Sequence, residues 1–95
     1  MNFVKINKEK VELRNSWGIL VRYITDRAKS CNISGNLVLV TKLNGQVELR
    51  KDNGMLIRTI ATGAEDAKFQ GDSILVIKNR VCELRNQWGV LIRKV

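Results

Sequence analysis

The sequence predicts an all-β protein assembled from repeated units of four short antiparallel strands. Three observations carry that expectation. A phrase recurs three times: "VELRNSWGILVRYI" from Val11, "VELRKDNGMLIRTI" from Val47 and "CELRNQWGVLIRKV" from Cys82. Glu12, Glu48 and Glu83 stand 36 and 35 residues apart, and a fixed period of this length marks a repeat architecture. The apolar runs "LVLV", "SILVIK" and "GILVRYI" are rich in β-branched residues and bounded by turn formers, as strands are.

The elements follow in order. Residues 1–24 supply strands Asn2–Asn7, Lys10–Asn15 and Ile19–Ile24, without the opening strand of the later repeats. Residues 25–60 read as a strand around Ala28–Ile33, then Leu37–Leu43, Gln46–Lys51 and Met55–Ile60. Residues 61–95 repeat the set as Glu65–Phe69, Ser73–Lys78, Val81–Asn86 and Val90–Val95. The opening strands align on Gly35 and Gly71, matching Ala28 with Ala64, Cys31 with Ala67 and Ile33 with Phe69. Asn44-Gly45 predicts a two-residue hairpin, because both positions of that turn need positive φ. Lys8-Glu9 and Asn79-Arg80 occupy the equivalent places without that signal.

The E-L-R hairpin predicts its own register. A three-residue loop, Ser16-Trp17-Gly18, would put Gly18 in the left-handed position of a G1 bulge, as with Gly54 and Gly89. Asn15 then faces Ile19, Leu13 faces Val21, Glu12 faces Arg22 and Val11 faces Tyr23. The same register sets Glu48 against Arg58, Glu83 against Arg93, Leu49 against Ile57 and Leu84 against Ile92. Opposite charges and apolar partners are thereby matched in all three copies.

The stretch "GDSILVIKNRVCELRNQWGVLIRKV" resembles three strands of a β-propeller blade as found in WD-repeat and NHL-type families: glycine, apolar strand, short turn, strand, Gly-bearing loop, apolar strand. The likeness spans almost the whole chain, as about 2.7 blades, and implies a fold rather than an activity. Neither the Trp-Asp dipeptide nor the Gly-His of WD repeats is present. A trefoil or prism, a solenoid and a closed barrel of about eleven strands are the rival architectures; the Asn-Gly hairpin weighs against the solenoid. A blade needs a neighbour on both faces, and propellers close with roughly 4–8 of them. The expected partner is therefore the chain itself, as a homo-oligomer and most simply a dimer whose two three-blade chains form a six-bladed ring.

Composition narrows function. The chain has 95 residues, 44% hydrophobic and 27% charged, a single soluble domain with no apolar run near the roughly 18 residues of a membrane span. A cytoplasmic location is expected, with no membrane partner. Cys31 and Cys82 are isolated and histidine is absent, so neither a zinc site nor a disulfide is expected, and no cofactor or metal. The commonest general base is missing, so the chain is not expected to be an enzyme. Asp26, Glu65, Asp66 and Asp72 could build a catalytic site only across an oligomer interface. A net charge of +8 suggests nucleic acid or another acidic partner, met by Lys5, Lys8, Lys10, Arg27, Lys29, Lys42, Lys51, Lys78 and Arg80. Trp17 and Trp88 share one repeat position, beside Arg14 and Arg85, where the middle copy has Asn53. Packing over an adjacent blade is the favoured role for the indoles; stacking on a glycan or a base is the other.

Overall fold

The computed structural model describes residues 1–95 as eleven β-strands with no helix. The strands form three antiparallel sheets. Sheet 1 holds β1 (Phe3–Asn7), β2 (Lys10–Arg14) and β3 (Leu20–Thr25). Sheet 2 holds β4 (Ala28–Ser34), β5 (Leu37–Lys42), β6 (Val47–Lys51) and β7 (Leu56–Ala61). Sheet 3 holds β8 (Asp66–Gln70), β9 (Ser73–Lys78), β10 (Val81–Arg85) and β11 (Leu91–Lys94). Each sheet is a meander, every strand pairing with its sequence neighbour.

The sheets stack face to face through two cores. One joins sheets 1 and 2, with Val11, Leu13 and Ile24 meeting Ala28, Val38 and Val40. The other joins sheets 2 and 3, with Leu39, Val47, Leu49, Ile60 and Ala61 meeting Ala64, Ala67, Ile74 and Val76. Alternation along the strands sends Leu39 one way and Val38 and Val40 the other, so sheet 2 is buried on both faces. The small residues of the opening strands let the sheets approach: Ala28 and Ala67 are only 2% and 1% exposed. Equivalent backbone bonds tie the sheets along one edge. The Ala28 amide donates to the Glu9 carbonyl and the Ala64 amide to the Gly45 carbonyl, each at 2.9 Å.

The G1 loop forms as its sequence predicts. The Gly18 amide donates to Asn15 O, the Asn15 amide to Ile19 O, and φ is +80°, +93° and +84° at Gly18, Gly54 and Gly89. Beyond the loop the expected register fails by one residue. Arg14 pairs with Leu20, but Leu13 then pairs with Arg22, Glu12 with Tyr23 and Val11 with Thr25. Sheet 2 repeats this, with Leu49 opposite Arg58 and Glu48 opposite Thr59. Sheet 3 does too, with Leu84 opposite Arg93 and Glu83 opposite Lys94. Val21, Ile57 and Ile92 are therefore extra residues of a bulge, and none faces its expected partner. A bulge increases local twist. In sheets 1 and 2 a second bulge follows, at Ile24 and Ile60, which are 6% and 4% exposed in the cores. The first bulge is common to all three hairpins, the second accompanies burial between sheets, and the expected Glu–Arg ladder does not form.

The inner hairpins reverse expectation as well. Lys8-Glu9 and Asn79-Arg80 are the two-residue turns with positive φ at both positions. Asn44 keeps negative φ, and only Gly45 is left-handed, at +90°. The Gly45 amide donates to Lys42 O and the Lys42 amide to Gln46 O, a three-residue loop with a bulge. The additional residue of the middle copy has gone into the turn. Gly45 is needed there for space as well as φ, since a Cβ would lie 3.2 Å from the Ala64 nitrogen.

Candidate functional site

The E-L-R motif makes a clamp within its own hairpin. Residues two apart on a strand share a face, so Glu48 and Arg50 point the same way. Arg50 Nε and Nη2 lie 3.0 and 2.9 Å from Glu48 Oε1, and Nη1 donates to the Gly54 carbonyl at 2.8 Å. Arg14 repeats this with Glu12 and Gly18 O, and Arg85 with Glu83 and Gly89 O. The guanidinium thus satisfies a shielded carboxylate and locks the bend after it. Arg14 and Arg85, singled out in the sequence as ligand or sheet-contact candidates, are occupied in this way. The bond to Arg14 is the main cause holding the Glu12 carboxyl below its ordinary 4.5, with Asn7 assisting. The Glu83 carboxyl is lowered chiefly by its bond to Arg85.

The clamped bends meet the preceding sheet. A Cβ on Gly54 would lie 3.4 Å from the Ile24 carbonyl oxygen, and one on Gly89 would lie 3.0 Å from that of Ile60. A Cβ on Gly18 would meet nothing within 4 Å. Glycine is thus the docking point of a repeated joint, used twice inside the chain and left open once.

Each sheet then has a leading face, carrying the clamp and turned toward the preceding sheet, and a trailing face. The leading positions Val38 and Val40 in sheet 2, and Ile74 and Val76 in sheet 3, are all fully buried. Their equivalents in sheet 1 are the exposed Phe3 and Lys5. The trailing positions Leu39, Val47, Leu49 and Ile60 of sheet 2 are buried. Their equivalents in sheet 3, Leu75, Cys82, Leu84 and Val95, are half-buried or, for Val95, 62% exposed. Leu75, Leu84 and Val95 line a shallow groove with Gln70 and Arg93. Cys82 holds the repeat position of Val47, which is fully buried, yet stays half-buried on the open face.

Trp17 and Trp88 are 84% and 66% exposed. Trp88 belongs to a bend already docked against sheet 2, yet its indole stays outside the joint. Packing over the adjacent sheet, the favoured expectation, is therefore not its role. Asn15 and Asn86, which sequence reasoning passed over, shape these loops. Their Oδ1 atoms accept from the amides two and four residues on. Asparagine opening a turn was the available signal.

The basic residues divide. Lys42 binds Thr25 Oγ1 at 2.9 Å and lies 3.8 Å from the Asp26 carboxylate. Lys29 donates to Ala64 O, Lys78 lies 3.8 Å from Glu83, and Lys10 sits 5.2 Å over the Tyr23 ring. Lys5, Lys8, Arg27, Lys51 and Arg80 form no ion pair. Lys8, Arg27 and Arg80 stand in turns and links along the edge where the sheets are tied. Lys5 lies on the open leading face and Lys51 toward the tryptophan loops. Asp26, Glu65 and Asp66 are on the tied edge, whereas Asp72 is in the β8–β9 turn at the opposite end. Asp66 accepts from Ser30 Oγ at 2.7 Å, holding β8 to β4. No three metal-ligating side chains converge. No protein-family model matches the chain, and no curated protein matches it.

Proposed function

We propose that this chain is a non-catalytic, self-assembling β-propeller segment that serves as a binding or scaffold module. One observation carries the reading: the middle sheet is buried on both faces, while sheet 1 leaves its leading face open with Phe3 exposed and sheet 3 its trailing face open with Val95 exposed and Leu75 and Leu84 half-buried. Contiguous apolar surface of this kind marks an interaction site in a soluble protein. Covering a Val, Leu, Ile or Phe side chain contributes about 1.5–3 kcal/mol, enough over several residues to offset the cost of association. Each sheet corresponds to one blade, and the clamp serves structure rather than chemistry. Sedimentation at micromolar concentration tests this reading. A multiple of 10.8 kDa is expected. A stable, compact single chain would refute it.

A second reading, a basic module for nucleic acid, is favoured by Lys8, Arg27 and Arg80 standing unpaired along one edge. Its mark is a steep loss of affinity with salt. The exposed indoles favour a third, glycan stacking, which is nearly insensitive to salt. In either case the Trp17→Asn, Trp88→Asn double variant is expected to keep its mass, because the docked bend leaves Trp88 outside the joint.

A further inference from the structure

We propose that the trailing face of sheet 3 in one copy receives the leading face of sheet 1 in another. The result is a third joint of the kind already made twice within the chain, with Gly18 seated on the main-chain oxygen of Val95. The inference rests on the self-assembly reading and names its surface.

Repeat equivalence makes the match residue by residue. Gly54 seats against the carbonyl of Ile24, and Gly89 against that of Ile60. Val95 holds the repeat position of Ile24 and Ile60, and Gly18 that of Gly54 and Gly89. The two halves of the missing contact are therefore both present, at opposite ends of one chain. Gly18 keeps a left-handed φ of +80° in a bend clamped by Arg14, so the loop is already shaped for docking although a Cβ there would meet open space. On the receiving side, Leu75 and Leu84 repeat Leu39 and Leu49, which are 1% and 2% exposed in the internal joint.

This third joint has one discordant residue. Lys5 stands where Val40 and Val76 are fully buried, placing an ammonium among apolar side chains. Sheet 1 also has three strands, so β8 meets no opening strand across the seam, just as β4 meets none in the joint between sheets 1 and 2. The intermolecular joint is consequently weaker than the internal two, and Lys5 is what tunes it. The contact is head to tail, joining different surfaces of two identical chains; such contacts close into rings when the rotation permits.

The test compares sedimentation of the full chain with that of Gly18→Val, Gly35→Val and Lys5→Val. Gly18 and Gly35 are both left-handed with open space at the Cβ, so backbone strain affects both. Only Gly18 lies at the joint. Gly18→Val is expected to raise the dissociation constant at least tenfold, Gly35→Val to leave it within about twofold, and Lys5→Val to lower it at least tenfold. If Gly18→Val does not fold, Lys5→Val decides alone. Assembly of the parent chain with no response to Lys5→Val would overturn this joint and leave self-assembly standing. A monomeric parent chain that stays monomeric as Lys5→Val would overturn both.

Discussion

Arg50→Ala is expected to be among the most damaging single changes outside the cores. Arg50 makes two contacts near 3 Å to one carboxylate oxygen of Glu48 and a third to the Gly54 carbonyl. The side chains are 16% and 9% exposed, closer to a buried pair than to a surface one. A surface ion pair is worth about 0–1 kcal/mol, while removing one member of a buried pair costs about 3–5 kcal/mol. The partial exposure of Arg50 places its loss at about 2–4 kcal/mol, including the packing of its aliphatic stem. Urea unfolding at fixed protein concentration measures this, since assembly makes stability depend on concentration. A double-mutant cycle of Glu48→Ala with Arg50→Ala is expected to show coupling of about 2 kcal/mol. The cycle of Glu48→Ala with Arg58→Ala is expected to show almost none, because Arg58 lies opposite Leu49 and Glu48 opposite Thr59, on the other face. Coupling below about 0.5 kcal/mol in the first cycle, or equal coupling in both, would refute the clamp.

Further expectations concern the joint, acid and the thiols. Gly89→Ala should destabilise more than Gly35→Ala. Left-handed strain of roughly 1 kcal/mol is common to both, but only position 89 brings a Cβ to 3.0 Å from a carbonyl oxygen, and thermal melting ranks the two. The Glu12 and Glu83 carboxyls are lower in the folded chain than their ordinary 4.5. Their contribution is therefore fully present above about pH 4.5 and is lost as pH falls through the folded values. A pH series of urea midpoints should decline on the acid side of that point, and a flat series down to pH 2 would contradict it. Burial pushes the Cys31 thiol up to about 11, so at pH 8 it should resist alkylation in the native protein and react in urea. Rapid native labelling of Cys31, read by mass spectrometry of peptides, would place it elsewhere.

Local patterns in the sequence carried much of the fold. Period-two alternation and turn residues place all eleven strands to within a residue or two, because a strand's two faces are written directly into its side-chain order. The Gly-bearing bend is equally local, since a left-handed residue is required wherever that loop closes. The three copies of the repeat likewise correspond to the three antiparallel sheets.

What tertiary structure alone decided begins one residue past the bend. A bulge leaves composition unchanged, and pairing Glu48 with Arg58 looks as good on paper as the observed register. The first bulge recurs in sheet 3, whose trailing face is open, so it belongs to the hairpin, while the second bulge, which carries Ile24 and Ile60 into the cores, occurs only in the two sheets that have a following sheet. Glu48 then takes its partner from its own strand. At Asn44-Gly45 a strong two-residue turn signal yields to a three-residue loop that takes up the additional residue of the middle copy, and the Gly45 carbonyl still accepts from the Ala64 amide as Glu9 does from Ala28. Strand, turn and face are properties of neighbours in sequence; register and joint are properties of neighbours in space.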